Sequence, residues 1–215
     1  MQKDLSNYRK SYEKSALIED AILENPLEQF QRWFDEIEAS DGVDEPNAMT
    51  VSTIGLDGFP KSRVVLMKKY TFEGFIFYTN YDSEKGRAIA ENPSICLSFF
   101  WPNLERQVII KGNAGKIAEN LSDGYFESRP VGSQLGAIAS EQSRVVASRK
   151  VLEERLQKLE KEYENKEVER PENWGGYLVR PVSIEFWQGR PNRLHDRIRY
   201  TLQDDHHWKI ERLQP

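Results

Sequence analysis

The sequence predicts a mainly β domain with peripheral helices (an α+β fold), and three observations support this prediction. Residues 47–118 consist of short strand-like runs separated by turn-forming residues, which is typical of a β-sandwich or a β-barrel. Strand-like runs return from residue 174 to the C-terminus. The intervening block, about residues 120–165, has helical patterning with few apolar residues beyond one stripe. We therefore expect this block to be a helical insertion packed on the strands.

A first helix is predicted in the segment NPLEQFQRWFDEIEAS. Asn25 can cap this helix, and Pro26 suits its first turn. Its apolar residues recur at helical spacing and form one stripe: Leu27, Phe30, Trp33, Phe34 and Ile37. The charged residues 1–24 before it are expected to form an N-terminal arm.

The predicted strands follow in order along the chain. AMTVSTI and PKSRVVLMKKY flank an Asp-Gly pair that suits a hairpin turn, and GFIFYTN is a third strand. SEKGRAIAEN is a short helix that begins at Ser83, and SICLSFFW with ERQVIIKGNAGKIA is a second strand pair. A long charged helix is predicted over about residues 143–165. The last predicted strands follow it: WGGYLVRPVSIEFWQG, RLHDRIRYTL and HWKIERL. We expect a single domain over residues 25–215.

Charge and composition exclude several classes of protein. The chain has 215 residues, with 30 lysines and arginines against 35 aspartates and glutamates, and its formal net charge is −5. This balance disfavours a nucleic-acid-binding protein that works by bulk charge. A single cysteine, Cys96, excludes an internal disulfide. No apolar run approaches the ~18 residues of a membrane span, and the N-terminus lacks an apolar signal region. We expect a cytoplasmic protein without nucleic-acid or membrane partners.

The segment RLHDRIRY carries an unusual density of basic side chains. In a regular strand, alternation places four of them on one face: Arg193, His195, Arg197 and Arg199. Asp196 would lie on the opposite face and could make a structural contact. Such a cationic row favours an anionic ligand. The alternative is a solvated outer face at a sheet edge, where charge discourages aggregation.

A phosphate group would have to be held by side chains. The sequence has neither a G-x-G-x-x-G pattern nor a G-x-x-x-x-G-K-[ST] loop, and it has no G-x-S-x-G elbow. Arg63 and Lys68 are candidates, although regular alternation puts them on opposite faces, so a shared site requires a bulge or the strand end. Ser83 and Lys85 stand at a helix start, which favours an anion; a plain N-cap is the alternative.

Two further groups of residues invite a chemical interpretation. Tyr125, Arg129 and Ser133 are spaced four apart, and two hydroxyls with a guanidinium suit a phosphate monoester. Pro130 interrupts their helix, so they share a face only in part; the alternative is an ordinary surface helix. The adjacent pair His206-His207 is expected in a polar turn and not in a metal site, because neighbouring strand residues point apart.

Together these stretches resemble the pyridoxine (pyridoxamine) 5′-phosphate oxidase family over almost the whole chain. The motifs that carry the resemblance are RVVLMK, FYTN, LERQV, YFESRP, SEQS, WGGY, IEFWQG and RLHDR. The resemblance implies an FMN-binding split β-barrel that forms a homodimer with the flavin at the subunit interface. It also implies oxidation of pyridoxine 5′-phosphate or pyridoxamine 5′-phosphate to pyridoxal 5′-phosphate, with O2 reduced to hydrogen peroxide, in vitamin B6 synthesis and salvage. The alternatives are a non-catalytic flavin or pyridoxal-phosphate binding protein, or an oxidoreductase of the same barrel class with another substrate.

The resemblance also implies site residues. The cofactor-binding residues would be Arg63, Val64, Val65, Leu66, Met67, Lys68, Tyr78, Thr79, Lys85, Gln107, Gln142, Ser143, Trp187 and Arg197. The substrate-binding residues would be Arg9, Tyr12, Lys68, Tyr125, Arg129, Ser133, Arg193 and His195, of which Arg193 and His195 would be catalytic. The arm around Arg9 and Tyr12 would then act as an active-site lid. No metal is implied.

The start of the helix after Ser83 departs from the family pattern. Where the family often has an Arg-Lys pair after the serine at the helix start, this chain has Glu84-Lys85. A carboxylate that faced a flavin phosphate would repel it. We expect Glu84 to turn outward.

Overall fold

The computed structural model describes residues 2–215, which contain eight strands and five α-helices. Met1, the first residue of the predicted arm, lies outside the described residues. The helices are α1 (Pro26–Glu38), α2 (Glu84–Glu91), α3 (Glu119–Glu127), α4 (Val131–Ala139) and α5 (Arg149–Glu162). The strands are β1 (Ala48–Ile54), β2 (Pro60–Thr71), β3 (Gly74–Asn80), β4 (Ser94–Trp101), β5 (Arg106–Lys116), β6 (Trp174–Gln188), β7 (Asp196–Leu202) and β8 (Trp208–Arg212). Short 3₁₀ helices cover Glu19–Ala21 and Pro191–Arg193.

The strands form one antiparallel sheet that closes on itself. Its order is β3-β2-β1-β4-β5-β6-β7-β8, and β3 pairs in addition with β6. That extra pairing, in which Phe77 lies opposite Tyr177, closes a six-stranded barrel within the described residues. The topology confirms the predicted mainly β fold with peripheral helices, and it favours the barrel over the sandwich.

The chain divides into two compact units, each assembled from separate stretches. Unit 1 comprises Met1–Met49, Leu97–Lys111 and Pro181–Pro215, and unit 2 comprises Thr50–Cys96 and Gly112–Arg180. The single domain expected over residues 25–215 stays a prediction.

The core of unit 1 is built on helix α1. The helix begins where predicted, because the Asn25 side chain accepts a hydrogen bond from the backbone N–H of Leu27 (2.9 Å). The fully buried Phe30 packs with its ring centroid 5.3 Å from that of Phe99. Trp33 meets Phe186 of β6 edge to face, at 5.1 Å between centroids. The apolar stripe that the sequence predicts therefore faces the core.

The core of unit 2 is centred on the start of β6, in the motif WGGY. The ring of Trp174 packs against Phe126 of α3, with 5.2 Å between centroids. The two following residues must be glycines, because another chain segment approaches each backbone closely. A Cβ atom at Gly175 would lie 2.2 Å from the Tyr81 hydroxyl, and one at Gly176 would lie 2.9 Å from the ring of Tyr78.

Two predicted elements have different bounds in the structure. The long charged helix covers Arg149–Glu162, so it begins about two turns later than the predicted residue 143. The strand predicted from residue 193 begins at Asp196. Among residues 2–215, no helix combines the length and the apolar character needed to cross a bilayer.

Candidate active site

A cavity of about 800 Å³ lies in unit 2 and collects most of the residues that the resemblance assigns to cofactor and substrate phosphate. The predicted residues that line it are Arg63, Val64, Val65, Leu66, Lys68, Tyr78, Thr79, Lys85, Tyr125, Arg129, Ser133, Gln142 and Ser143. Trp174, Asn80, Ser140 and residues of α4 complete its wall. Met67 is buried and does not line the cavity.

A bulge brings two basic residues of β2 into this cavity. The pairing of β2 with β3 shifts register between Met67 and Lys69. One extra residue in a strand reverses the alternation beyond it, so Arg63 and Lys68 can serve the same side of the strand. Both residues line the cavity, and the bulge is the irregularity that a shared site requires.

The ammonium group of Lys85 lies at one end of a small polar cluster. It donates hydrogen bonds to Thr79 Oγ1 (3.1 Å) and Gln142 Oε1 (3.2 Å), and Thr79 Oγ1 donates to the same Gln142 oxygen (3.1 Å). Burial lowers the pKa of Lys85, and the nearby charge of Arg63 lowers it further. Two cations in one cavity wall, neither fully neutralised, favour an anionic ligand.

Glu84 is directed to a lysine and away from the cavity. The Lys61 ammonium donates a hydrogen bond to Glu84 Oε1 and also lies 2.9 Å from Asp57. A second contact, 3.4 Å, joins Glu84 Oε2 to Arg63 Nη2. Lys61 holds the pKa of Glu84 below its ordinary value, so this carboxyl is ionised at neutral pH. Glu84 is not among the residues that line the large cavity, as expected.

Arg129 lines the cavity with its guanidinium packed on Trp174. Its guanidinium lies over the ring of Trp174, 4.7 Å from the centroid, and burial lowers its pKa. Its Nη1 atom is buried and has no hydrogen-bond partner among residues 2–215, although buried donors are nearly always satisfied. Pro130 separates α3 from α4 as predicted, so Tyr125 and Ser133 reach the cavity from two helices. The Arg129 guanidinium can supply positive charge and hydrogen-bond donors to an oxyanion in the cavity.

His195 belongs to a second cluster, in unit 1. Its ring lies 4.7 Å from the ring of Trp187 and 5.7 Å from that of Tyr12, between centroids. Its Nδ1 atom accepts a hydrogen bond from the backbone N–H of Arg190 (3.1 Å). Burial lowers the pKa of His195, and the charge of Arg193 lowers it further. The imidazole is therefore neutral at neutral pH, with its proton placed on Nε2 by the Arg190 contact.

The prediction that RLHDRIRY forms one regular strand is wrong in its first half. Asn192 and Arg193 adopt positive φ values of 56° and 60° and end a 3₁₀ helix, so alternation does not apply before Asp196. Of the four residues in the predicted cationic row, Arg197 and Arg199 lie in β7 and share a face, whereas Arg193 and His195 precede the strand. The predicted structural role of Asp196 is confirmed: its carboxylate accepts the N–H of Leu17 (3.0 Å) and a hydrogen bond from Arg212.

Carboxylates neutralise much of the remaining basic row. Arg197 Nε donates to Glu185 (2.8 Å) and its Nη1 to the carbonyl of Gln214 (2.9 Å), while Arg199 Nη2 donates to Glu211 (2.9 Å). This pairing across β6, β7 and β8 explains how like charges can stand two residues apart in one strand.

The other predicted site residues also lie in unit 1. Gln107 donates from Nε2 to Ser98 Oγ (3.3 Å), and the exposed Arg9 donates from Nε to the carbonyl of Ser6 (3.2 Å). His206 and His207 lie in the turn between β7 and β8, where His207 contacts Asp205. Among residues 2–215, no group of three or more His, Cys, Asp or Glu side chains is placed to hold a metal ion.

Several residues of the clusters, among them Trp174 and Glu105, were not assigned a role from the sequence. Trp174 supports Arg129 and lines the cavity. Glu105 is buried beneath the N-terminal arm. Both stand in motifs of the resemblance, WGGY and LERQV, which was the only sequence signal for them.

Two family models match the chain. The model described as pyridoxamine 5′-phosphate oxidase matches residues 35–162. The model described as pyridoxine 5′-phosphate oxidase C-terminal dimerisation region matches residues 174–215.

Curated relatives match over nearly the full length. A pyridoxine/pyridoxamine 5′-phosphate oxidase of Flavobacterium psychrophilum is 70% identical, covering 99% of this chain and 100% of the relative. A protein of the same name from Trichormus variabilis is 50% identical, covering both chains completely.

Solved structures agree with the fold. PhzG from Burkholderia lata, in complex with tetrahydrophenazine-1-carboxylic acid, superposes with a TM-score of 0.85 at 30% identity, covering 93% of this chain and 98% of that one. An FMN-binding protein from Nostoc punctiforme, described as pyridoxamine 5′-phosphate oxidase-related, gives a TM-score of 0.69 at 15% identity over 88% of this chain and 98% of that one. These likenesses confirm the split-barrel fold.

Proposed function

Because the chain belongs to the pyridoxamine 5′-phosphate oxidase family, we propose that it is an FMN-dependent oxidase of vitamin B6 phosphates. It converts pyridoxine 5′-phosphate and O2 to pyridoxal 5′-phosphate and hydrogen peroxide. With pyridoxamine 5′-phosphate, one water is consumed and ammonia is released in addition. The observation that carries this proposal is the cavity of unit 2, whose wall holds cationic and hydroxyl side chains from two parts of the chain, residues 63–85 and residues 125–133, enough for two phosphate esters.

The residues present fit FMN. Arg63 and Lys85 are the cations for the flavin phosphate. Burial lowers the pKa of Lys85, and its ammonium group is hydrogen-bonded to the Thr79 hydroxyl and not to a carboxylate among the described residues. Strand residues 64–68 run along the same wall and supply backbone and apolar contacts. When bound, FMN supplies the redox chemistry by accepting a hydride equivalent from C4′ of the vitamin and passing the electrons to O2.

The second group of side chains holds the phosphate of the vitamin. Arg129 supplies a guanidinium, Lys68 adds a charge, and the hydroxyls of Tyr125 and Ser133 complete the clamp. Fixing the phosphate fixes the orientation of the pyridine ring, and orientation is one of the largest contributions a protein can make to such a reaction.

Arg193 and His195 act on the pyridine ring and its C4′ substituent. The neutral His195 has its Nε2–H free to donate a hydrogen bond to an oxygen of the substrate, because Nδ1 already accepts from Arg190. Arg193 is exposed, and its charge stabilises negative charge that develops there. Neither residue is required as a general base.

The active form is a homodimer with FMN at the subunit interface. The dimerisation-region match over residues 174–215 supports the homodimer. Gln107, Trp187 and Arg197 contribute to the cofactor site in that assembly, while Arg9 and Tyr12 belong to the arm that covers the substrate. A cytoplasmic location remains a prediction from the sequence.

Aerobic turnover tests the reaction. Purified protein with added FMN is supplied with pyridoxine 5′-phosphate or with pyridoxamine 5′-phosphate, and pyridoxal 5′-phosphate and hydrogen peroxide are measured together. We expect the two products in equal amounts. A protein that binds FMN but forms neither product from either substrate would be a binding protein or an oxidoreductase with another substrate, and the proposal would be wrong.

A further inference from the structure

Glu105 joins the N-terminal arm to the rest of unit 1. Its side chain is only 2% exposed. Its Oε2 atom accepts hydrogen bonds from the backbone N–H groups of Glu13 (2.8 Å) and Lys14 (3.1 Å). Its Oε1 atom lies 3.1 Å from the ammonium group of Lys10. A single buried carboxylate therefore binds three donors of the arm.

The carboxylate is held on a rigid backbone. Glu105 has a φ of 57°, which is uncommon for a residue with a side chain. Its carbonyl accepts hydrogen bonds from the backbone N–H of Gly189 (2.8 Å) and from the side-chain amide of Gln188 (3.2 Å). Burial raises the pKa of Glu105, but the hydrogen bonds from the arm outweigh burial and leave this pKa below its ordinary value. The group is ionised at neutral pH.

The contacts of Glu105 flank Tyr12, with Lys10 two residues before it and Glu13 directly after it. The ring of Tyr12 meets Trp187 edge to face, with 5.7 Å between centroids, and lies at the same distance from His195. The backbone of Gly189 passes beneath it, where a Cβ atom would lie 2.8 Å from Tyr12 Cβ and Cγ and 3.1 Å from Glu105 Cβ. Glu105 and Gly189 thus fix the position of Tyr12 from two sides.

We propose that Glu105 is a positioning residue: its carboxylate fixes Tyr12 against Trp187 and His195 and so sets the geometry of the substrate-binding arm. This inference rests on the proposed function, since Tyr12 and His195 are its substrate-binding residues. The two amide hydrogen bonds carry the effect. The Lys10 ion pair contributes little, because the Lys10 side chain is 60% exposed.

Four variants separate these contributions. Glu105→Asn has a side chain too short to reach the arm, while asparagine tolerates the positive φ and so leaves the backbone unstrained. Glu105→Gln keeps an oxygen acceptor for the two amides but loses the negative charge, so it removes the ion pair and weakens the two hydrogen bonds without abolishing them; it is the conservative variant. Lys10→Ala removes the ion pair alone. Gly189→Ala displaces Tyr12 without changing any charge.

Hydrogen exchange of the Glu13 and Lys14 amides measures arm docking directly, on the FMN-loaded protein without substrate. We expect exchange to accelerate about tenfold or more in Glu105→Asn, since hydrogen bonds to a charged group are the strong ones. Gly189→Ala should behave similarly, and Lys10→Ala should stay within about threefold of the unmodified protein. Glu105→Gln should lie between the unmodified protein and Glu105→Asn, because its neutral oxygen still accepts both amides but less strongly. Unchanged exchange in Glu105→Asn would overturn the proposal, whatever the protein catalyses.

Kinetics then test whether Glu105 acts through Tyr12. We expect Glu105→Asn to raise KM for the vitamin phosphate about tenfold while the Kd for FMN stays the same. In a Tyr12→Ala background the same substitution should have no further effect on KM, because the ring to be positioned is gone. Independent, multiplying effects of the two substitutions would contradict the proposal. Failure of the unmodified enzyme to turn over would contradict the proposed function and leave the exchange result to stand by itself.

Discussion

The ammonium group of Lys61 donates a hydrogen bond to the carboxylate of Glu84, immediately before the cavity lysine Lys85 in the chain. Glu84 also lies 3.4 Å from Arg63, one of the two cations proposed for the flavin phosphate. A carboxylate so close to an anion site would oppose binding if it were left unpaired. Lys61 neutralises it, and this pairing explains how the chain can keep a glutamate where its family often has an arginine.

Removing Lys61 should therefore weaken FMN binding although Lys61 does not line the large cavity. We expect Lys61→Met to raise the Kd for FMN about fivefold, the scale of a partly exposed ion pair. The Lys61→Met/Glu84→Gln double variant should return the Kd to the original value or below, because the unpaired charge is gone. Quenching of the fluorescence of free FMN measures the Kd of the single and of the double variant. Lys69→Met, on the same strand, is the charge-matched control. An equal loss in the single and double variants would contradict this account.

Arg129 is expected to act on the substrate and not on the cofactor. Arg129→Met removes the guanidinium from the cavity wall, and KM for pyridoxine 5′-phosphate should rise about 10- to 100-fold, as for the loss of a charge-assisted hydrogen bond. The Kd for FMN should change less than about twofold. Arg129→Lys keeps the charge but loses the planar group over Trp174, so its KM should lie between those of the unmodified protein and Arg129→Met. A variant that loses FMN instead would place Arg129 at the flavin phosphate.

The affinity for FMN should fall at alkaline pH because of Lys85. Its pKa in the free protein is lowered by burial, so as the pH rises Lys85 loses its charge before an ordinary lysine with a pKa of about 10.4 does. Only the charged form attracts the phosphate, so binding raises this pKa and the Kd for FMN increases through the same pH range. Lys85→Arg stays charged and should abolish this alkaline limb. Titrations of FMN at a series of pH values compare the two, and an identical limb in both would exclude Lys85 as its source.

Arg193 and Arg197 should differ in phenotype although they stand four residues apart. Arg193 is exposed before β7, so Arg193→Leu should lower kcat/KM at least about tenfold and leave FMN bound. Arg197 is fixed by Glu185 and Gln214, and Arg197→Leu should increase the FMN lost on gel filtration. Arg199→Leu, on the same face of β7, is the control for loss of charge alone. Full activity of Arg193→Leu would contradict its assignment to the substrate.

Much of the site could be predicted because local chemistry determines it. The spacing of Tyr125, Arg129 and Ser133 survives the break at Pro130, since α4 starts immediately after that break. The sequence could predict a shared site for Arg63 and Lys68 only if their strand contained a bulge or ended between them. Whether a strand contains a bulge depends on its pairing with a neighbour, and here that is the register of β2 against β3.

Two features could not be predicted for physical reasons. The alternation assumed from Arg193 onward fails because Asn192 and Arg193 adopt left-handed backbone conformations, which sequence periodicity does not report. The role of Glu105 depends on contacts with arm residues more than 90 positions away in the chain. An isolated glutamate in LERQV gives no sign that its carboxylate is buried.

The central claim is that this cavity holds FMN so that a vitamin B6 phosphate can reduce it. The most direct test is the visible spectrum of the FMN-loaded protein, recorded without oxygen while pyridoxine 5′-phosphate is added. We expect the oxidised flavin band to bleach and, on admission of air, to return as pyridoxal 5′-phosphate accumulates. A bound flavin that stays oxidised with both pyridoxine 5′-phosphate and pyridoxamine 5′-phosphate would contradict the account.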